Sequence, residues 1–96
     1  MKKSYILVYS GNVGKREDIK SALNGMDSIE KWRYDLPSCF YLVSEQTAKE
    51  ISTELYEKTD GNGMFIISEV PANSYGWLTP ESWHLIQKKE YKPKAP

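Results

Sequence analysis

The chain has 96 residues and a mass of 11.1 kDa, with 13 Lys and Arg against 13 Asp and Glu. Its 40% hydrophobic and 12% aromatic content supplies one real core, and its length leaves no room for a second. The formal net charge of +0 excludes a general basic nucleic-acid coat, and the single Cys39 excludes an internal disulfide and a cysteine-cluster zinc site.

Charge is unevenly placed along the chain. Lys2, Lys3, Lys15, Arg16 and Lys20 outnumber Glu17 and Asp18 at the start. Glu45, Glu50, Glu54, Glu57 and Asp60 outnumber Lys49 and Lys58 in the middle. Lys88, Lys89, Lys92 and Lys94 outnumber Glu90 at the end.

Tyr5-Ile6-Leu7-Val8-Tyr9 is apolar at every position and predicts a central strand covered on both faces. It stops at Ser10-Gly11-Asn12, too soon for a signal peptide, and no run approaches the roughly 20 apolar residues of a membrane helix. The expectation is a cytoplasmic protein without membrane contact. Ile19, Ala22, Leu23 and Met26 follow helical spacing, with Asn12 or Ser10 as cap and Gly25 weakening the end.

Ile29 to Tyr34 alternates and predicts a half-exposed strand. Asp35-Leu36-Pro37-Ser38 turns the chain into Cys39-Phe40-Tyr41-Leu42-Val43, a buried strand, so the two runs form a hairpin. Ser44 to Thr47 opens a second helix, with Thr47 and Glu50 as a capping box and Ala48, Ile51 and Leu55 as its apolar stripe. Asp60-Gly61-Asn62-Gly63 ends it. Met64-Phe65-Ile66-Ile67 is a third all-apolar strand. Thr79-Pro80-Glu81 starts a short helix carrying Trp83, Leu85 and Ile86.

Strand–helix–strand–strand–helix–strand is the α+β, ferredoxin-like βαββαβ order. It predicts an antiparallel sheet with two helices on one face plus a short C-terminal helix. Residues 1–91 form the single domain, and 92–96 are expected to be a disordered tail. The central strands are apolar at every position, so the second face is not polar and needs cover. The expectation is a homodimer joined across sheet faces or through edge strands. The alternative is a monomer in which Trp77, Trp83 and Ile86 fold back and seal that face.

Trp32-Arg33-Tyr34, Ser38-Cys39-Phe40-Tyr41-Leu42-Val43, Phe65-Ile66-Ile67-Ser68-Glu69-Val70 and Gly76-Trp77-Leu78 resemble a family of small bacterial SinR-like proteins. These are similar in fold to the smaller CRISPR-associated adaptation protein and to VapD-type toxins. The resemblance runs from Tyr5 to Trp83 and implies the ferredoxin-like fold and a homodimer. The nuclease members of that group place an Asp at the end of the first strand, where two copies hold a divalent metal. Here Ser10 stands at that position, and a hydroxyl is a poor ligand for a hard cation. No catalytic residue, metal or cofactor is therefore expected.

Two groups of residues are candidates for binding an anion or nucleic acid. Ser10, Gly11, Asn12, Gly14, Lys15 and Arg16 lie where glycines and a helix N-terminus bring backbone N–H groups to an anion. The spacing is not that of a P-loop, and a solvated strand-to-helix turn is the plainer reading. Lys31 and Arg33 share one face of the second strand, with Trp32 and Tyr34 on the other, a mixture that can hold single-stranded nucleic acid. The plainer reading is a charge-protected edge strand. His84 lacks partners in sequence, and Cys39 reads as a buried small hydrophobe. The basic tail and the acidic helix read as solvated surfaces.

These residues fit a non-catalytic dimeric protein with a binding or assembly role, with nucleic acid as a candidate partner. A metal-dependent nuclease or toxin would need carboxylates such as Asp18, Asp35 or Glu69 to gather. A small-ligand regulatory module would need a pocket of several hundred Å³ lined by the aromatics.

Overall fold

The computed structural model describes residues 1–93. Its elements are β1 (Lys3–Tyr9), α1 (Arg16–Asn24), β2 (Lys31–Arg33), β3 (Cys39–Ser44), α2 (Ala48–Lys58), β4 (Phe65–Glu69) and α3 (Pro80–Lys88). The sheet order is β2-β3-β1-β4, antiparallel throughout. This is the ferredoxin-like α+β arrangement expected from the chain order.

Alternation along the strands builds two cores. Tyr5, Leu7 and Tyr9 of β1 and Phe40 and Leu42 of β3 point to one face. There they meet Ile19 and Leu23 of α1 and Ile51 and Leu55 of α2, residues spaced to share a helix stripe. Leu7 sits opposite Phe40 on one side and Ile67 on the other, at the centre of the sheet. Tyr5 is buried to its ring but its hydroxyl donates to the Gln46 carbonyl at 2.6 Å, so no polar atom is stranded.

The opposite face carries Cys39, Tyr41 and Val43, covered by Leu85 and Ile86 of α3. Thr79 caps α3, accepting from the Ser82 N–H at 3.3 Å, and Pro80 needs no donor partner in the first turn. Polar contacts hold both ends of α3 to the sheet. The Thr79 hydroxyl donates to the Asp35 carboxylate at 3.2 Å, and Arg33 Nε donates to Ser82 Oγ at 3.2 Å. Ser4 Oγ donates to the Ile86 carbonyl at 2.6 Å.

The C-terminal segment thus covers part of the second face. Trp83 and Ile86 fold back as the monomer alternative requires, but Trp77 stays 91% exposed. α3 packs on β1, β2 and β3 and leaves the far end of β1 and β4 bare. Val8 and Ile66, which pair across that boundary, are 43% and 65% exposed. The two sheet edges also differ. On β2 the Tyr91 hydroxyl accepts from the Trp32 N–H and donates to the Trp32 carbonyl, both at 3.3 Å. β4 pairs only with β1, so its outer edge is open.

Three local expectations are corrected. α1 starts from Lys15 rather than from Asn12 or Ser10, because Val13 is drawn into the core and Ser10 bonds elsewhere. β2 covers three residues, not all of 29–34. β4 buries only Ile67, because it lies at the edge with one face uncovered. Lys92 and Pro93 have no regular structure, and the rest of the expected tail, Lys94 to Pro96, lies outside the described residues. No helix among the described residues is long and apolar enough to cross a membrane.

Candidate functional site

The loop after β1 is held by β4. Ser10 N–H donates to the Met64 carbonyl at 2.8 Å, and Ser10 Oγ accepts from the Met64 N–H at 3.0 Å. Ser10 therefore latches the sheet end, its backbone N–H and its hydroxyl oxygen both bonded to Met64. Gly63 makes the latch possible. Its φ is +73°, and a Cβ there would lie 2.5 Å from the Val13 nitrogen.

The same loop leads into α1. Gly14, at φ +147°, lets Asp18 come close, and the Asp18 carboxylate accepts from the Lys15 N–H at 2.9 Å. The protein's own anion thus occupies a donor of the proposed cradle. Glu17 adds a second negative charge in the first turn of the helix. Gly11, Asn12 and Lys15 remain exposed, while Arg16 turns away from the loop.

Arg16 joins a different group. Its guanidinium lies 4.4 Å from the centre of the Tyr34 ring, and Lys20 Nζ lies 4.9 Å from it. Tyr34 stacks on Trp32, and both rings meet Phe40 edge-on. Trp32 Nε1 donates to Asn24 Oδ1 at 3.0 Å. Lys20 beside the Tyr34 hydroxyl holds it below its usual ionisation range, with Arg16 acting in the same direction. Lys20 is itself raised, by Tyr34 first and then by Glu17.

Lys31 and Arg33 stand apart from these aromatics. They pair with Val43 and Tyr41 on the α3 face, where Arg33 is bonded to Ser82. The aromatic rings lie on the helix face, so the cations that meet them come from α1. The available signal was the four-residue spacing of Arg16 and Lys20, which puts both on one side of the helix.

A half-open cleft of about 400 Å³ lies on the α3 face. Ile6 and Ser68 of the sheet, Leu36 of the hairpin turn, Trp77 and Leu78 of the loop before α3, and Trp83 and Ile86 of α3 line it together with Tyr41. Tyr75 and Trp77 meet edge-on at its mouth, 6.5 Å between centres. Tyr41 is 2% exposed, and its Oη, itself out of contact with solvent, has the Asp35 carboxylate as its polar neighbour without a fully formed hydrogen bond. Burial, reinforced by the Asp35 carboxylate, pushes its ionisation far above the usual tyrosine range.

The carboxylates are engaged separately. Asp18 closes the α1 turn, Asp35 accepts from Thr79, and Glu69 pairs with Lys3 at 3.9 Å. Among the described residues no three His, Cys, Asp or Glu side chains come together to hold a metal. His84 is half-buried on α3. Cys39 is buried, and burial pushes its thiol up, away from the nucleophilic thiolate. Compared with protein-family models, curated proteins and solved structures, the chain matches none.

Proposed function

We propose that this is a non-catalytic protein with a binding or assembly role that works as a homodimer; the SinR-like and adaptation-protein resemblance implies the dimer, and Ser10 in place of the expected acidic residue argues against catalysis. The observation that carries the reading is the bare end of the sheet. Val8 and Ile66 are exposed side by side next to the open edge of β4, and Met64, 78% exposed, extends the patch. An open edge strand beside exposed apolar residues favours pairing with another chain. A second copy would meet an identical edge, which a two-fold axis satisfies for both copies. Ser10, bonded to Met64, supports a structural role for the end of β1.

Sedimentation velocity across a range of protein concentrations tests this reading. The wild type sediments as a dimer and Ile66→Asp as a monomer with an unchanged circular dichroism spectrum. A wild type that is monomeric at every concentration refutes it.

A second reading has its own observation. Arg16 and Lys20 over Tyr34 form a compact cationic and aromatic surface suited to phosphate and base contact. Anisotropy of labelled single-stranded RNA and DNA, at two salt levels and with and without magnesium, tests it and also scores cleavage. Binding that weakens with salt and is lost in the Arg16→Ala, Lys20→Ala double variant supports nucleic acid as partner.

A further inference from the structure

The backbone of β4 limits how a second copy can dock on it. Ser10 N–H donates to the Met64 carbonyl at 2.8 Å, and Val70 N–H donates to the Ser4 carbonyl at 2.9 Å. Backbone groups alternate in direction along a strand, so Ile6 and Val8 also face β4, and their partners Ser68 and Ile66 face back. Phe65, Ile67 and Glu69 therefore turn their N–H and C=O groups to the open edge. The Glu69 carbonyl accepts from Ser68 Oγ at 3.5 Å. The edge groups of Phe65 and Ile67 have no partner among the described residues.

Little guards this edge. β2, at the opposite side of the sheet, carries Lys31 and Arg33 and has its Trp32 groups bonded to Tyr91. β4 reads Phe65-Ile66-Ile67-Ser68-Glu69, with its one charge at the end and no proline. A strand without such protection accepts another strand. On the helix side an open groove of about 470 Å³, bordered by Tyr56, Met64 and Phe65, leaves room beside it.

We propose that two copies join β4 to β4 antiparallel, with Ile66 opposite the partner's Ile66 on the two-fold axis, so that the two four-stranded sheets become one. This rests on the homodimer reading and fixes its geometry. A two-fold axis normal to the sheet keeps each face with its like. Phe65 then exchanges both backbone hydrogen bonds with the partner's Ile67, twice by symmetry, which satisfies every open group of those residues. The side chains match on both faces. Phe65 meets Ile67 on the helix face, while on the α3 face Ile66 meets Ile66 and the exposed Met64 lies against Ser68. Centring on Ile67 instead brings Glu69 into the ladder, but sets its carboxylate against Phe65 and sets Ile66 against Ser68. Centring on Ser68 sets Glu69 against Ile67. Each alternative replaces apolar pairs with mismatched ones, twice over.

Cysteine cross-linking and hydrogen exchange test the register. Residues opposed in a non-hydrogen-bonded pair have Cβ atoms about 4.5–5.5 Å apart, close to disulfide reach. Under mild oxidation, read on a non-reducing gel, Ile66→Cys forms a covalent dimer at least about tenfold faster than Ser21→Cys, exposed on α1, because the dimer holds its thiols at high effective concentration. Met64→Cys and Ser68→Cys stay unlinked singly and link when combined, each meeting the other across the axis; on one strand they lie too far apart to bond within a chain. The wild type, whose Cys39 is buried, stays unlinked. In the wild type the Phe65 and Ile67 amides exchange slowly and the Glu69 amide fast, and all three exchange fast in Ile66→Asp.

Sedimentation velocity on the same samples separates two failures. A wild-type dimer overturns this register, and leaves the homodimer reading standing, if Ile66→Cys links no faster than Ser21→Cys, if Ser68→Cys links alone, or if the Glu69 amide is protected. A wild type that is monomeric at every concentration removes both.

Discussion

Leu85→Ala tests whether α3 is an integral cover of the sheet. Leu85 is 0% exposed and packs on Cys39, Tyr41 and Val43. Truncating a buried leucine costs about 2–5 kcal/mol, the larger values arising where the surroundings cannot close the cavity. α3 has solvent on its outer side and can settle inward, so the cost here falls near about 2–3 kcal/mol. Leu55, also 0% exposed but held between α2 and the sheet, sets the comparison, and Leu55→Ala reaches about 3–5 kcal/mol. For a domain of this size about 2–3 kcal/mol lowers the Tm by about 10–20 °C. Urea and thermal unfolding followed by circular dichroism measure both variants. Hydrogen exchange adds the location: amides of α3 lose protection first in Leu85→Ala, while those of β1 and β3 follow global stability. A loss below about 0.5 kcal/mol, the range of an ordinary surface change, refutes α3 as a structural layer.

Gly63→Ala places a Cβ 2.5 Å from the Val13 nitrogen at a φ of +73°, so it costs about 2–3 kcal/mol in urea unfolding. Gly11→Ala has nothing within 4 Å of the added Cβ and stays within about 0.5 kcal/mol, so equal effects would refute the latch at Ser10. Glu54 accepts from the Ser28 hydroxyl and from the Ser28 and Asp27 N–H groups, which hold its carboxyl below the usual range. A carboxylate lowered on folding adds stability above its unfolded value, and that stability is lost as pH falls through the folded one. Glu54→Gln is therefore less stable than the wild type by about 0.5–1 kcal/mol at pH 7, discounted for exposure. Unfolding curves from about pH 6 to about pH 3 show the gap closing as the wild-type carboxylate protonates, and a gap that widens toward acid refutes the assignment.

Local chemistry explains which elements were legible in advance. Thr47 and Glu50 form their capping box, and Thr79 with Pro80 starts α3, because each signal acts within one helical turn. The start of α1 at Lys15 is not legible in the sequence, since that boundary depends on Val13 reaching a core built by distant residues. The same limit applies to the candidate sites. Ser10 through Arg16 looked like one anion-binding stretch, but Asp18 takes a donor and Ser10 bonds across 54 positions to Met64. Lys31 and Arg33 were correctly placed opposite Trp32 and Tyr34, yet which cations meet those rings depended on where α1 lies against β2.

Periodicity alone determined the element order, the four strands and the two helices of the main core. Strand and helix periods are short-range consequences of backbone geometry, and each apolar stripe shows which side must be buried. Only the tertiary structure decided how the second face is shared. The chain holds enough apolar residues in β1, β3, β4 and α3 to make that face apolar, but α3 is one helix wide and the sheet is four strands across. It covers one part, leaves Val8 and Ile66 bare, and frames a cleft between Trp77, Trp83 and the sheet.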